Sequence, residues 1–154
     1  MDAYRPSAKL HAGQADTLVV HCSDHRIQAA VQEFLNNSLK LNGSYDALAI
    51  PGGPQALTLV EYLPKLSWAL GKWLRFLVDA HELKRIVLIA HQDCGWYKQL
   101  PFHLFGSSEP RTQQEDDLRR ARRSLASNFP QVGVELYYLV WDASDRVSIE
   151  TVAG

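Results

Sequence analysis

The sequence predicts an α/β fold, with a mainly parallel sheet of about four strands plus an edge strand and helices on both faces. Four short apolar segments alternate along the chain with segments whose apolar residues repeat at helical spacing. A final segment, 147–152, alternates apolar and polar residues, as a half-exposed edge strand does. Strands that alternate with helices form a parallel sheet covered on both faces.

The first half of the chain is predicted to contain two strands and a helix. Residues 16–22 and 45–50 are short and apolar, while residues 27–39 carry apolar side chains at 27, 30, 31, 34 and 35, which form one helical face. The turn signal Asn42-Gly43 separates this helix from the second strand. That strand ends at Pro51-Gly52-Gly53-Pro54, whose composition predicts an irregular loop.

The second half is predicted to contain longer helices and the remaining strands. The predicted helices are 56–63, which ends before Pro64, then 66–80, and a charged helix over 112–128 with Thr112 as its N-cap. The strands are 85–90 and 134–141, and residues 101–110 are irregular. The core face of the helix over 66–80 is predicted to consist of Leu66, Ala69, Leu70, Trp73, Leu74 and Leu77.

Length and composition predict one domain, residues 16–154, preceded by an arm over residues 1–15. The chain has 154 residues, of which 46% are hydrophobic, and a formal net charge of −1, which gives no general attraction to nucleic acid or anionic membranes. No apolar run approaches the roughly 20 residues that a membrane span requires. The first residues lack a signal-peptide core, so a cytoplasmic location is expected, where two cysteines more often bind metal or stay reduced than pair.

One basic cluster invites a nucleic-acid interpretation: Arg119, Arg120, Arg122 and Arg123. It follows an acidic run on the same predicted helix. The pairs Glu115–Arg119 and Asp116–Arg120 are four residues apart, which is the spacing of a surface ion-paired helix. The surface-helix interpretation is therefore favoured, and no nucleic-acid partner is expected.

The two cysteines carry the strongest functional signal. Cys22 ends the first strand, and the third strand runs into His91-Gln92-Asp93-Cys94. Because ligands bind beyond the carboxyl ends of parallel strands, adjacent strands would bring these side chains together. Two thiolates and one imidazole suit Zn²⁺ and leave a fourth position open for water. The alternative is that both cysteines are buried apolar side chains and His91 is a core histidine.

At these residues the chain resembles the β-class carbonic anhydrases. That family has a Cys-x-Asp-x-Arg element after its first strand and a His-x-x-Cys-Gly element after its third, which read here Cys22-Ser-Asp24-His-Arg26 and His91-Gln-Asp-Cys94-Gly95. The resemblance implies one zinc ion per chain, held by Cys22, His91 and Cys94. It also implies reversible hydration of CO₂ to bicarbonate through zinc-bound hydroxide.

The same resemblance assigns Asp24 and Arg26 as a catalytic pair. In the family the arginine holds the carboxylate, which accepts a hydrogen bond from the zinc-bound water. A carboxylate that leaves Arg26 can instead take the fourth zinc position and close the site. The alternative for the pair is an ordinary loop salt bridge. The family commonly forms dimers or larger homo-oligomers, and the helix with Trp68 and Trp73 is a candidate interface.

Two departures from the family pattern affect the substrate pocket. Pro51–Pro54 stands where the family usually has Ala-Gly-Asn, and Trp96 stands where a small residue is common. These differences leave two alternatives to carbonic anhydrase activity. One is hydrolysis of a CO₂-like molecule such as carbonyl sulfide or carbon disulfide, and the other is a zinc-binding protein without turnover.

The remaining polar residues near the motifs are expected to have ordinary roles. His25 is predicted to be an exposed loop residue, and His21 to point away from the ligands by strand alternation. Asp93 is interpreted as a solvated turn residue, and Gly95 as the start of a helix. No role is assigned to His103.

Overall fold

A five-stranded sheet organises the computed structural model, which describes residues 3–10, 13–58, 64–99 and 109–154. The spatial order is β2-β1-β3-β4-β5; the first four strands are parallel and β5 is antiparallel to β4. This confirms the predicted fold class. The strands are β1 (Thr17–Cys22), β2 (Asp46–Ile50), β3 (Arg85–His91), β4 (Gly133–Trp141) and β5 (Val147–Thr151).

The central strands are the continuously apolar ones. All six residues of β1 are buried, and so are all residues of β3 except the first, Arg85. Because both faces of these strands are covered, their sequences lack the polar alternation of β5, which lies at an edge of the sheet as predicted. The shorter β2 forms the opposite edge.

In the described part of the chain, four α-helices connect or flank the strands. They are α1 (Gln28–Asn37), α2 (Pro64–His81), α3 (Gly95–Gln99) and α4 (Pro110–Asn128), with short 3₁₀ helices at His25–Ile27 and Gly53–Leu57. The 3₁₀ helix at Gly53–Leu57 includes the start of the helix predicted over 56–63, whose residues 59–63 lie outside the described part of the chain. The predicted irregular segment lies outside it over 101–108, as does His103.

The sheet separates two hydrophobic clusters. Leu18 and Val20 of β1 lie in the cluster that contains α2 and α4, whereas Val19 lies in the one that contains α1. This alternation places helices on both faces of the sheet. The helical residues of the first cluster include Leu70, Leu74, Val78, Leu118, Ala121 and Leu125, and those of the second include Val31 and Leu35.

Two predictions about helix faces and ends are wrong. Trp73, placed in the core face of its helix, is 54% exposed, while Leu70, Leu74 and Val78 fill that face. The last helix begins at Pro110, with Glu109 rather than Thr112 as its N-cap. Proline suits the first helical position because its missing N–H would have no partner there and its φ is already helical.

The ion pairs of α4 differ in part from those predicted. Glu115 and Arg119 pair at 3.1 Å, as expected. Arg120 pairs with Asp117 rather than with Asp116, which instead accepts from Arg119 at 2.9 Å. Among the described residues, none of the helices combines the length and apolar content needed to cross a bilayer.

Candidate metal centre

The sheet brings the three predicted ligands together at the carboxyl ends of its central strands. Cys22 is the last residue of β1 and His91 the last of β3, and these two strands are parallel neighbours. A turn through Asp93, whose φ is +56°, then returns Cys94 to the same place before α3 begins. The candidate ligand atoms of Cys22, His91 and Cys94 all lie within 4.8 Å of one another, and all three residues are buried.

The hydrogen bonding of His91 presents one ring nitrogen as a ligand. Its Nδ1 lies 2.8 Å from the carbonyl oxygen of Gln92, so Nδ1 carries the proton and donates it there. Its Nε2 is buried and has no hydrogen-bond partner among the described residues. An unprotonated, unpaired imidazole nitrogen in a buried site is expensive unless a metal or a donor fills it.

The two cysteines have the spacing of metal thiolates. Their Sγ atoms are 3.8 Å apart, much farther than the roughly 2.05 Å of a disulfide. Two thiolates bound at about 2.3 Å to a tetrahedral zinc ion would be separated by about 3.8 Å. The donor set and its spacing therefore fit zinc.

The two thiols share their protons unequally. The contact between the two thiols lowers the pKa of Cys22, and the same contact raises the pKa of Cys94. One of the two thiols therefore ionises readily. The second forms a thiolate only when a positive charge nearby compensates the two negative charges. A divalent cation would supply that charge.

The loop after β2 closes over the ligand residues. Gly53 has φ +53°, and a Cβ atom there would lie 2.8 Å from the backbone nitrogen of Cys22. Only glycine allows this backbone approach without displacement. The predicted irregular loop thus forms part of the site, together with Pro51, which lines a cleft of about 380 Å³ with Cys22, Asp24 and Trp96.

Asp24 and Arg26 form the predicted pair. The Asp24 side chain caps the 3₁₀ helix by accepting from the backbone N–H of Arg26 at 3.0 Å, and this turn folds the guanidinium back onto the carboxylate. Nη2 and Nε of Arg26 donate to Asp24 Oδ2 at 2.6 and 3.1 Å. These bonds lower the pKa of Asp24 to about 2. Gln28, a residue not predicted for the site, holds the turn by donating to the carbonyl oxygens of Cys22 and Asp24.

The histidines next to the first motif lie outside the three-ligand cluster. The His25 side chain is 95% exposed, as predicted, but the residue begins a 3₁₀ helix and does not lie in a loop. His21 is buried, and burial lowers its pKa. Its Nδ1 lies 2.9 Å from the carbonyl oxygen of Cys22, so His21 contacts the backbone of a candidate ligand residue.

A buried hydrogen-bond network behind the site was not predicted. Trp96 Nε1 donates to Gln55 Oε1 at 2.7 Å, and the Gln55 amide donates to Asp117 Oδ2 at 3.1 Å. Asp117 is 1% exposed and also accepts from Tyr97 at 2.8 Å. This network ties the loop after β2 to α3 and α4. It therefore supports the wall of the cleft that Trp96 lines together with Pro51.

Comparison with known proteins agrees with this architecture. A family model described as "Putative carbonic anhydrase" matches residues 12–152. An uncharacterized protein of Rickettsia bellii (strain RML369-C) is 27% identical over 133 residues, which cover 84% of this chain and 79% of that protein.

Solved structures share the fold at low identity. A carbonic anhydrase from Streptococcus mutans superposes with a TM-score of 0.60 at 16% identity, covering 96% of this chain and 88% of that one. Isoform I of the β-carbonic anhydrase from Trichomonas vaginalis gives a TM-score of 0.54 at 15% identity, covering 97% and 88%. With its family model, its sheet and its motif order in agreement, the chain belongs to the β-class carbonic anhydrase family as a divergent member.

Proposed function

We propose that this protein is a zinc-dependent carbonic anhydrase that catalyses the reversible hydration of CO₂ to bicarbonate. The observation that carries the proposal is the buried Cys22–His91–Cys94 cluster, together with an arginine-held carboxylate, Asp24, that lines a cleft with Cys22. Three protein ligands leave one position for a small molecule, which is typical of catalytic rather than structural zinc sites. When bound, zinc lowers the pKa of a water molecule and supplies hydroxide near neutral pH.

Asp24 would orient the water that is consumed. Its low pKa keeps the carboxylate ionised, so that it can only accept hydrogen bonds. Arg26 fixes the carboxylate plane by two donors and leaves acceptor capacity on the oxygens. The pair thus selects one orientation of a water O–H without removing its proton.

The ligand set predicts how the activity depends on pH. Thiolates donate more charge to a metal than neutral imidazoles do, and therefore weaken its effect on water. CO₂ hydration by the zinc-loaded protein is accordingly expected to be faster at about pH 8.5 than at pH 7.

Stopped-flow CO₂ hydration on zinc-quantified protein tests the proposal. The wild type should exceed the buffer rate and rise with pH. Asp24→Ala should keep its zinc and lose most of the activity, whereas Cys22→Ser should lose the zinc itself. A fully active Asp24→Ala variant would contradict the role of the pair, and tight zinc binding by Cys22→Ser would contradict the ligand assignment.

One observation keeps a second substrate under test. Trp96 lies against Gly52 and lines the cleft beside Cys22. The wall of this cleft therefore carries a bulky side chain where a small residue is common in the family. A CO₂-like molecule such as carbonyl sulfide would need the same ligands and a different wall. If zinc-loaded protein shows no CO₂ hydration at either pH, release of sulfide from carbonyl sulfide distinguishes this hydrolase from a site without turnover.

We also propose a homodimer or larger homo-oligomer, in keeping with the family. Trp68, Trp73 and Phe76 are 68%, 54% and 65% exposed on one helix, α2. Three large aromatic side chains in water favour a partner surface. Light scattering should show an assembly larger than one chain, and Trp73→Glu should shift it toward monomer; a monomeric wild type at micromolar concentration would contradict this.

A further inference from the structure

The arginine of the pair is held by a second acid. Besides its bonds to Asp24, Arg26 donates from Nη1 to Asp93 Oδ2 at 3.0 Å and from Nη2 to the Asp93 carbonyl oxygen at 3.0 Å. Asp93 belongs to the other ligand motif, 67 residues away in sequence. One guanidinium therefore joins the loop that follows β1 to the loop that follows β3.

Asp93 is itself fixed in position. Its φ of +56° is the left-handed conformation that a turn between His91 and Cys94 uses, and aspartate tolerates it better than most residues. Lys98 of α3 contacts its Oδ1. Its carboxylate and its carbonyl group thus present two acceptors in fixed directions to the Arg26 side chain.

A third contact limits the guanidinium on another side. Cζ of Arg26 lies 5.4 Å from the centroid of the Trp141 ring, and that ring is stacked near His91 at 6.4 Å between centroids. The Arg26 side chain is nevertheless 42% exposed, so it would have freedom to move if its acceptors were removed. Among the hydrogen bonds of this guanidinium, those to Asp93 come from outside its own turn.

The position of Arg26 matters because Asp24 is a potential metal ligand. A carboxylate is an ordinary ligand for zinc, and Asp24 lines the same cleft as Cys22. In the structure its oxygens are held by Arg26, and it is not part of the three-ligand cluster. A carboxylate without its arginine would compete with water and substrate for the remaining metal position.

We propose that Asp93 is a positioning residue that holds Arg26 in place and so keeps the Asp24 carboxylate out of the fourth metal position. The inference rests on the proposed metal site, but not on which substrate is turned over. It predicts that loss of the Asp93 carboxylate lowers the fraction of protein whose metal is open to an outside ligand. An apparent dissociation constant rises in inverse proportion to that open fraction.

Azide binding to cobalt-loaded protein, followed through the visible absorption of Co²⁺, measures this fraction without catalysis. Asp93→Gly removes the carboxylate while keeping the carbonyl acceptor and a residue that tolerates φ +56°. We expect its apparent azide Kd to rise about fivefold, which corresponds to an open fraction of about one fifth. Asp93→Asn, which keeps an acceptor oxygen, should lie between it and the wild type. The control Glu82→Gly, which removes an exposed carboxylate from another residue with a left-handed φ (+52°), should stay within about twofold.

A second background shows whether the effect passes through Asp24. In Asp24→Ala protein the Asp24 carboxylate is absent and cannot compete, so adding Asp93→Gly should leave the azide Kd unchanged within about 1.5-fold. An equal loss of azide affinity in both backgrounds would overturn the inference, because Asp93 would then act on the metal ligands directly. An unchanged Kd in Asp93→Gly alone would overturn it as well. Failure of the wild type to bind cobalt would overturn the proposed metal site together with this inference.

Discussion

Gly53 is predicted to be the most sensitive glycine next to the candidate metal site. Its left-handed φ of +53° disfavours any other residue, and an added Cβ would lie 2.8 Å from Cys22 N and 2.9 Å from the carbonyl carbon of His21. Both atoms are backbone atoms of buried β1, which cannot rotate away. Gly53→Ala therefore combines backbone strain with a steric clash at Cys22, the first candidate ligand.

Gly43 supplies the matched control. It also has a left-handed φ, +81°, but an added Cβ would meet nothing within 4 Å. The left-handed conformation costs an alanine about 1–2 kcal/mol at either site. The loss of unfolded-state entropy on replacing glycine is common to both variants and cancels in their difference. Overpacking adds about 1–3 kcal/mol at Gly53 alone.

Thermal unfolding of metal-free protein measures this difference. For a chain of this size about 1 kcal/mol corresponds to about 2–4 °C, so Gly53→Ala should melt about 2–12 °C below Gly43→Ala. Chelated samples are needed because bound metal would add its own stabilisation. Zinc affinity should also fall in Gly53→Ala and remain unchanged in Gly43→Ala. Equal melting temperatures for the two variants would refute the close approach of the loop to β1.

Three further predictions concern the wall and the core. Because an added Cβ on Gly52 would lie 2.3 Å from Trp96 Cδ1, Gly52→Ala should destabilise the wild type more than it destabilises Trp96→Ala protein. Urea unfolding of the wild type, the two single variants and the double variant should show a coupling free energy of about 1–3 kcal/mol between residues 52 and 96. Additive effects would argue against the contact. Asp117→Asn should lower the unfolding free energy by about 1–3 kcal/mol for each buried donor that loses its acceptor. It also removes the negative charge that pairs with Arg120. Burial raises the pKa of Tyr138 to about 12, so the folded protein retains a proton that the unfolded chain loses near pH 10. Stability should therefore fall as pH rises from about 10 to 12, by up to about 3 kcal/mol from this group, and Tyr138→Phe should fall less steeply in denaturant titrations at pH 9 and 11.

The sheet and the three-ligand cluster could be predicted because their signals are local. Each strand is a short apolar run, and Cys22 and His91 end two of these runs. Parallel strands share the direction of their carboxyl ends, so the placement of the ligands at one edge follows from fold class alone. Pro110 is also a local signal, because proline favours the first position of a helix. It indicates the start of α4 better than Thr112, the predicted N-cap, does.

Asp117 and Asp93 could not be assigned because their partners are distant in sequence. Asp117 stands in the charged run of α4 and looks like its exposed neighbour Asp116, yet it is 1% exposed. Its burial depends on donors from Gln55 and Tyr97, which only the tertiary structure brings together. Asp93, interpreted as a solvated turn residue, does lie in a turn, but its partner Arg26 lies in the other motif.

Trp73 shows a different limit. Its helix has apolar residues on more than one face, so periodicity alone does not say which of them meets the sheet. Leu70, Leu74 and Val78 take the core positions, and Trp73 is left outside with Trp68 and Phe76. An isolated sequence cannot separate a core stripe from an exposed apolar stripe, because both are apolar and both repeat at helical spacing.

The two departures from the family pattern turn out to be one structural unit. Trp96 occupies space that exists because residue 52 is glycine, and its indole N–H needs the acceptor that Gln55 provides. Gln55 in turn is oriented by Asp117, so the bulky Trp96 after the second motif depends on Gly52 and Gln55 after β2 and on Asp117 in α4. None of these side chains belongs to the three-ligand cluster. Divergence of this kind can reshape the wall of a cleft while the ligand geometry is retained, which is why the wall, rather than the ligand set, is the place where substrate preference would differ.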